Sequence, residues 1–173
     1  MLHHLRRNFF AYLLVLLPLQ VFPLLALALP EDREQPIHLQ ADQASFDQRS
    51  GVSIYEGNVE VTQGTMYLAA HKATVYFDQN GVFQRMVAEG GPTQFRYQPS
   101  RKKPRINGVG DRIEYNAVTA QVVVLGNARF TQGGDKFQGH KIAYDLTSDV
   151  VSATSKAGSG NSRVEFTIQP RSK

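Results

Sequence analysis

The chain has 173 residues, 42% of them hydrophobic, with ten phenylalanines, seven tyrosines and neither tryptophan nor cysteine. The missing cysteines exclude a disulfide framework and a lipid-modified cysteine anchor. Basic residues outnumber acidic ones by 19 to 15, but Arg6 and Arg7 lie in a segment read below as removed, and the small remaining excess is no nucleic-acid footprint.

Residues 1–28 begin with the basic MLHHLRR, continue through the uncharged AYLLVLLPLQVFPLLALA and end on Ala26-Leu27-Ala28. This is the layout of a secretory signal cut between Ala28 and Leu29. An uncleaved membrane anchor is the rival, since about 20 apolar residues can span a bilayer. Pro18, Pro23 and the Ala-x-Ala ending favour cleavage. Residues 29–173 then make one exported domain by length.

Beyond residue 30 no stretch keeps the i, i+3, i+4, i+7 apolar pattern of a helix. The first strand is PIHLQAD at 36–42, and from there the chain repeats itself. GNVEVTQG at 57–64 returns as GNARFTQG at 126–133, and an offset of 69 aligns Ala41–Asp78 with Gly110–Thr147 without a gap. Identities are few, among them Asp42/Asp111, Gly57/Gly126, Asn58/Asn127 and His71/His140, yet the apolar positions keep phase at spacing two, the period of a strand with one buried face. Each half divides again, because ADQASFD (41–47), HKATVYFD (71–78), GDRIEYN (110–116) and GHKIAYD (139–145) share one pattern. Turns such as QRSG, EGN, DQNG and QGGD separate the units. The pattern predicts an all-β fold of about sixteen short antiparallel strands, in repeat halves near 36–105 and 106–168.

Strands with one apolar face must hide it by closing or by facing another layer. The inward candidates are Ile37, Leu39, Phe46, Ile54, Val61, Leu68, Val75, Phe77, Met86, Phe95, Tyr115, Val123, Phe130, Phe137, Ile142, Tyr144 and Ile168. Within VVVL (122–125) the phase is ambiguous, and Val123 is chosen by its alignment with Ile54. Two readings of this face stay open: an ordinary sandwich core, or a trough that accepts a lipid. Small inward residues such as Val59, Ala73 and Ala128, and the absence of tryptophan, favour the trough.

The end strands, with Ile37, His38, Leu39 and Gln40 at one edge and Val164, Glu165, Phe166, Thr167 and Ile168 at the other, lack the clustered lysines or central proline that block edge pairing. Either another chain adds a strand there or a tail covers it.

Catalysis has little footing, and no catalytic or metal-binding residue is assigned. His38, His71 and His140 show no ligand spacing, no serine sits in a nucleophile elbow, and nothing indicates a cofactor. The cluster RYQPSRKKPRI (96–106) is a loop because of Pro99 and Pro104. It is either a solvated hairpin tip or a contact for anionic phosphates.

An exported chain with GNVEVTQG and AAHKATVYFD echoed by GNARFTQGGDKFQGHKIAYD resembles the OstA-like domain family of lipopolysaccharide-transport proteins, the LptA family, over about residues 36–168. The resemblance implies a twisted, V-shaped β-jellyroll of sixteen strands whose interior takes the acyl chains of lipopolysaccharide (its lipid A part). It implies a periplasmic bridge from inner to outer membrane, with head-to-tail self-association. An LptC-like inner-membrane protein would dock at the N-terminal edge (36–42) and an LptD-like outer-membrane protein at the C-terminal edge (162–170). A structural scaffold that carries no lipid, or an LptC-like relative that keeps its membrane anchor, is the alternative. The basic loop at 99–105 matches no motif of the family.

Overall fold

Alternating apolar residues between glycine-bearing turns form ten antiparallel strands among the residues described by the computed structural model, 34–100, 102–156 and 163–170. They are β1 (His38–Gln40), β2 (Gln43–Asp47), β3 (Val52–Gln63), β4 (Met66–Phe77), β5 (Phe83–Tyr97), β6 (Ile106–Asn116), β7 (Gln121–Gln132), β8 (Asp135–Asp145), β9 (Val150–Thr154) and β10 (Glu165–Thr167). The leader and its expected cut at Ala28 and Leu29 lie outside the described residues. From β3 to β8 each strand pairs with the next, so the sheet is a meander. β1 and β2 both pair with β3 at one end, and β9 and β10 both pair with β8 at the other.

The repeated letters mark a row of bends. Pairing slips between Glu56 and Val59, Ala69 and Lys72, Glu89 and Thr93, Val109 and Arg112, and Leu125 and Ala128. Such bulges bend a strand and shift which side chains face in. At the two GN repeats, Gly57 and Gly126 take φ of 77° and 69°, and Asn58 and Asn127 take 45° and 47°. A side chain at either glycine would collide with Asp42 or Asp111. Those same aspartates accept hydrogen bonds from Asn58 Nδ2 at 2.9 Å and Asn127 Nδ2 at 3.0 Å. His71 and His140 sit in this row inside β4 and β8. Counting each of the six bent strands β3–β8 as two recovers the sixteen segments that the turn spacing predicts.

The row divides the sheet into two layers, a β2/β9 layer and a β1/β10 layer, which fold onto each other. In a flat sheet Tyr144 would lie about 20 Å along β8 from the partner of Phe130. Their rings are instead 5.4 Å apart. A Cβ on Gly108 of one layer would stand 3.2 Å from Val124 of the other. One core joins Val59, Val61, Leu68, Phe95, Ile106, Ala128 and Phe130 with Ala73, Val75, Ile113, Val122, Val124, Ile142 and Tyr144.

Two inward assignments are corrected. Ile54 pairs with Ser45 and Thr74, and Val123 with Glu114 and Ala143, all on the outer face. Their neighbours face in, with Ser53 at 3% and Val122 and Val124 at 1% exposure. Val52 and Ile54 are β-branched residues on a half-covered outer surface, where such side chains fit a pleated sheet as well as they fit a core. The Val123 assignment inherited the error through its alignment with Ile54.

Candidate binding groove

The interior is unevenly filled. A groove of about 200 Å³ opens between the layers in the N-terminal half, lined by Ile37, Leu39, Val61, Leu68, Val75, Phe77, Met86, Phe95 and Tyr115 from the expected set. Tyr55, Gln63, Met66, Tyr67 and Phe83 complete the lining. Tyr55 and Phe77 also border a more open hollow of about 830 Å³ with Phe46 and Arg49, at the N-terminal edge. Rings line the way in from that edge. Phe46 meets Phe77 at 6.3 Å, Phe77 meets Phe83 at 6.3 Å, and Phe83 meets Tyr115 at 5.8 Å.

No residue of β7 or β8 lines the groove. Phe130, Ile142 and Tyr144 lie at 1%, 0% and 1% exposure, packed as solid core. The repeat supplies the reason. At the offset of 69, Val61 corresponds to Phe130, Leu68 to Phe137, Ala73 to Ile142 and Val75 to Tyr144. At these four positions the second half carries the larger side chains, and among the described residues the groove lies beside their smaller counterparts. Apolar surface around such space lacks contact partners and gains from an apolar occupant.

The filled half is closed at its rim. Tyr144 donates its hydroxyl to Asp149 Oδ1 at 2.6 Å, and Lys103 Nζ meets Asp149 Oδ2 at 2.7 Å. Gln132 Nε2 also reaches Asp149 Oδ1, at 3.5 Å. Burial, reinforced by the Asp149 carboxylate, pushes the Tyr144 phenol far above its ordinary range. Partial burial works to raise Asp149, but the bonds from Lys103 and Tyr144 outweigh it and hold the carboxyl below its usual value.

The remaining candidates sit at the edges. Phe46 on β2 is 61% exposed, and Ile168, just past β10, is 72% exposed. Phe137 on β8 is half-buried under Phe166, ring to ring at 4.9 Å. Of the edge set, Leu39 and Val164 are half-buried, while Ile37, His38, Gln40, Glu165, Phe166 and Thr167 are exposed. Ile106 and Ile113, both at 0% exposure, were missed as core positions. The signal for Ile106 was present, because the same offset carries Ile37 onto it.

Comparison with known proteins places this geometry. Residues 38–150 match the family model described as LptA/(LptD N-terminal domain) LPS transport protein. The lipopolysaccharide export system protein LptH of Pseudomonas aeruginosa is 37% identical over 153 residues, 86% of this chain and 87% of that protein. The corresponding LptA of Escherichia coli K12 is 32% identical over 134 residues, 77% of this chain and 72% of that one. The crystal structure of P. aeruginosa LptH, described as the LptA-homologous periplasmic component of the lipopolysaccharide transport device, superposes with a TM-score of 0.75 at 35% identity. It covers 82% of this chain and all of that one.

Proposed function

Because the chain belongs to the LptA/(LptD N-terminal domain) family of LPS transport proteins, we propose that it is a periplasmic carrier that holds the acyl chains of lipopolysaccharide between its two sheet layers and leaves the sugars in water. The single observation that carries this reading is the empty apolar groove of the N-terminal half, set against the solid core at the equivalent positions of the other half. Its walls offer no cluster of acid, base and nucleophile, so the role is binding and transfer rather than catalysis. Along the groove the apolar walls keep burial at about 25 cal/mol per Å², so acyl chains held there stay out of water. Residues 1–28 serve as a leader removed on export, and residues 29–173 as the carrier domain. The N-terminal edge, β1 and β2, accepts an LptC-like partner, the C-terminal edge, β9 and β10, an LptD-like partner, and further copies insert between them.

The test copies the filled half into the empty one. In Val61→Phe/Val75→Tyr the groove gains the side chains that Phe130 and Tyr144 supply in the second half. Lipopolysaccharide recovered with the purified protein should fall about tenfold or more, with the circular dichroism of the sheet unchanged. Equal lipid on the filled variant would mean that the groove is not the site, and the protein would then be a scaffold between envelope partners.

A further inference from the structure

The groove ends at Phe95 and Tyr115, yet the edge that must hand a lipid onward is β9/β10, beyond β7 and β8. Phe130, Ile142 and Tyr144 block the way between them. Past this block the rings continue outward, from Phe130 to Phe137 at 5.8 Å and from Phe137 to Phe166 at 4.9 Å.

What holds the block is a contact across the rim. Asp149 lies in the turn between β8 and β9, on the β2/β9 layer, with φ of 59°. Lys103 lies in the β5–β6 loop, on the β1/β10 layer, 46 residues away in sequence. That loop is shaped for the reach. Lys103 N donates to Ser100 O at 3.2 Å, Gln98 Nε2 donates to the Lys103 carbonyl, and Pro104 packs against Gly133. The ion pair therefore ties the free rims of the two layers together, and Tyr144, a wall of the block, is hydrogen-bonded to the same carboxylate. In the first half, Val75 and Asn80 stand where Tyr144 and Asp149 stand in the second, and there the interior is open.

We infer that Lys103 and Asp149 form a latch over the C-terminal half of the interior, which must open for an acyl chain to pass from the groove to the C-terminal edge. This inference rests on the groove being the acyl-chain site. Both side chains remain partly in water, at 49% and 30% exposure, so the pair is weak and screened by salt, as a latch that opens repeatedly requires. It also gives the basic loop a role that a solvated hairpin tip would not have.

The chain has no cysteine, so Lys103→Cys/Asp149→Cys can be joined by a short bis-methanethiosulfonate linker that reductant cleaves. A photo-crosslinking residue replaces either Leu68, in the groove, or Phe137, beyond the block, and purified lipopolysaccharide is the probe. With the linker in place, labelling at position 68 should persist while labelling at 137 falls about tenfold and returns on reduction. Equal labelling at 137 in linked and reduced protein overturns the latch. Absence of labelling at 68 in every form overturns the groove reading on which it rests. Lys103→Glu gives an independent measurement without cysteines. It should raise labelling at 137 several-fold at low salt, and in the unsubstituted chain high salt, which screens the pair, should raise labelling at 137 as well. Labelling at 137 in Lys103→Glu that matches the unsubstituted chain at low salt overturns the latch in that format as well.

Discussion

Single side chains on the two faces of the sheet have unequal effects here, and Ile106 on β6 and Val123 on β7 show the contrast. Ile106 has 0% exposure and lies in the core between the layers, where truncation leaves a cavity that close packing does not refill. Ile106→Ala should cost about 2–5 kcal/mol in urea unfolding. Val123→Ala, on the outer face, should cost below about 1 kcal/mol. Equal costs would mean that the inner and outer faces of this region are wrongly assigned. Asp149 gives the residue-scale pH behaviour. Its pKa is held below the ordinary 3.8, so its contribution to the latch is fully present above that value and is lost as pH falls through the lower folded value. Lys103, Tyr144 and Gln132 are the groups that face it. Carboxyl-carbon NMR should therefore find Asp149 ionised throughout the range from about pH 7 to about pH 5, and Lys103→Met should move its midpoint upward. A midpoint that does not move would remove Lys103 as its partner.

At the scale of elements, the bulge row and the end strands matter most. The corner of Asp42, Gly57 and Asn58, and its copy at Asp111, Gly126 and Asn127, set where β3 and β7 bend. They thereby set which residues of the two layers meet. β10 is a short strand of three residues that pairs with β8 on one side, its Phe166 exposed at 51%. A strand paired on one side keeps backbone groups for a further strand. Phe166→Pro removes a donor and breaks the strand. It should abolish association through the C-terminal edge while leaving lipid labelling at Leu68 intact, because the groove is built from β1 and β3–β6. Loss of both would show that β10 is needed to hold the fold itself.

For the whole molecule, two unlike edges at opposite ends of one meander would, if they pair, make a heterologous contact rather than a closed dimer. Protein purified from the periplasm should begin at Leu29 and give a concentration-dependent ladder of sizes in light scattering, which Phe166→Pro collapses to the monomer. A protein that stays monomeric when concentrated would reserve the edges for the unlike partners at the two membranes. Such a chain of copies would place the groove of one beside the C-terminal half of the next, and a latch in each copy would make transfer stepwise.

The period of two, the turn residues and the 69-residue echo were enough to read an all-β sheet of sixteen segments with one buried face, because these are local properties that recur in the letters. The same echo placed Val61, Leu68 and Val75 on the inner face. It failed at Ile54 and Val123, where apolar residues occupy both faces and alternation carries no phase. The tertiary structure decided which half of the interior stays empty. That depends on how Phe130, Ile142 and Tyr144 of different strands fill space when the two layers meet, and alternation along one strand does not show which side chains meet across the layers. It also decided the partner of Lys103. A charge in a basic loop has no visible counterpart until the fold at the bulge row brings Asp149, 46 residues away, within 2.7 Å.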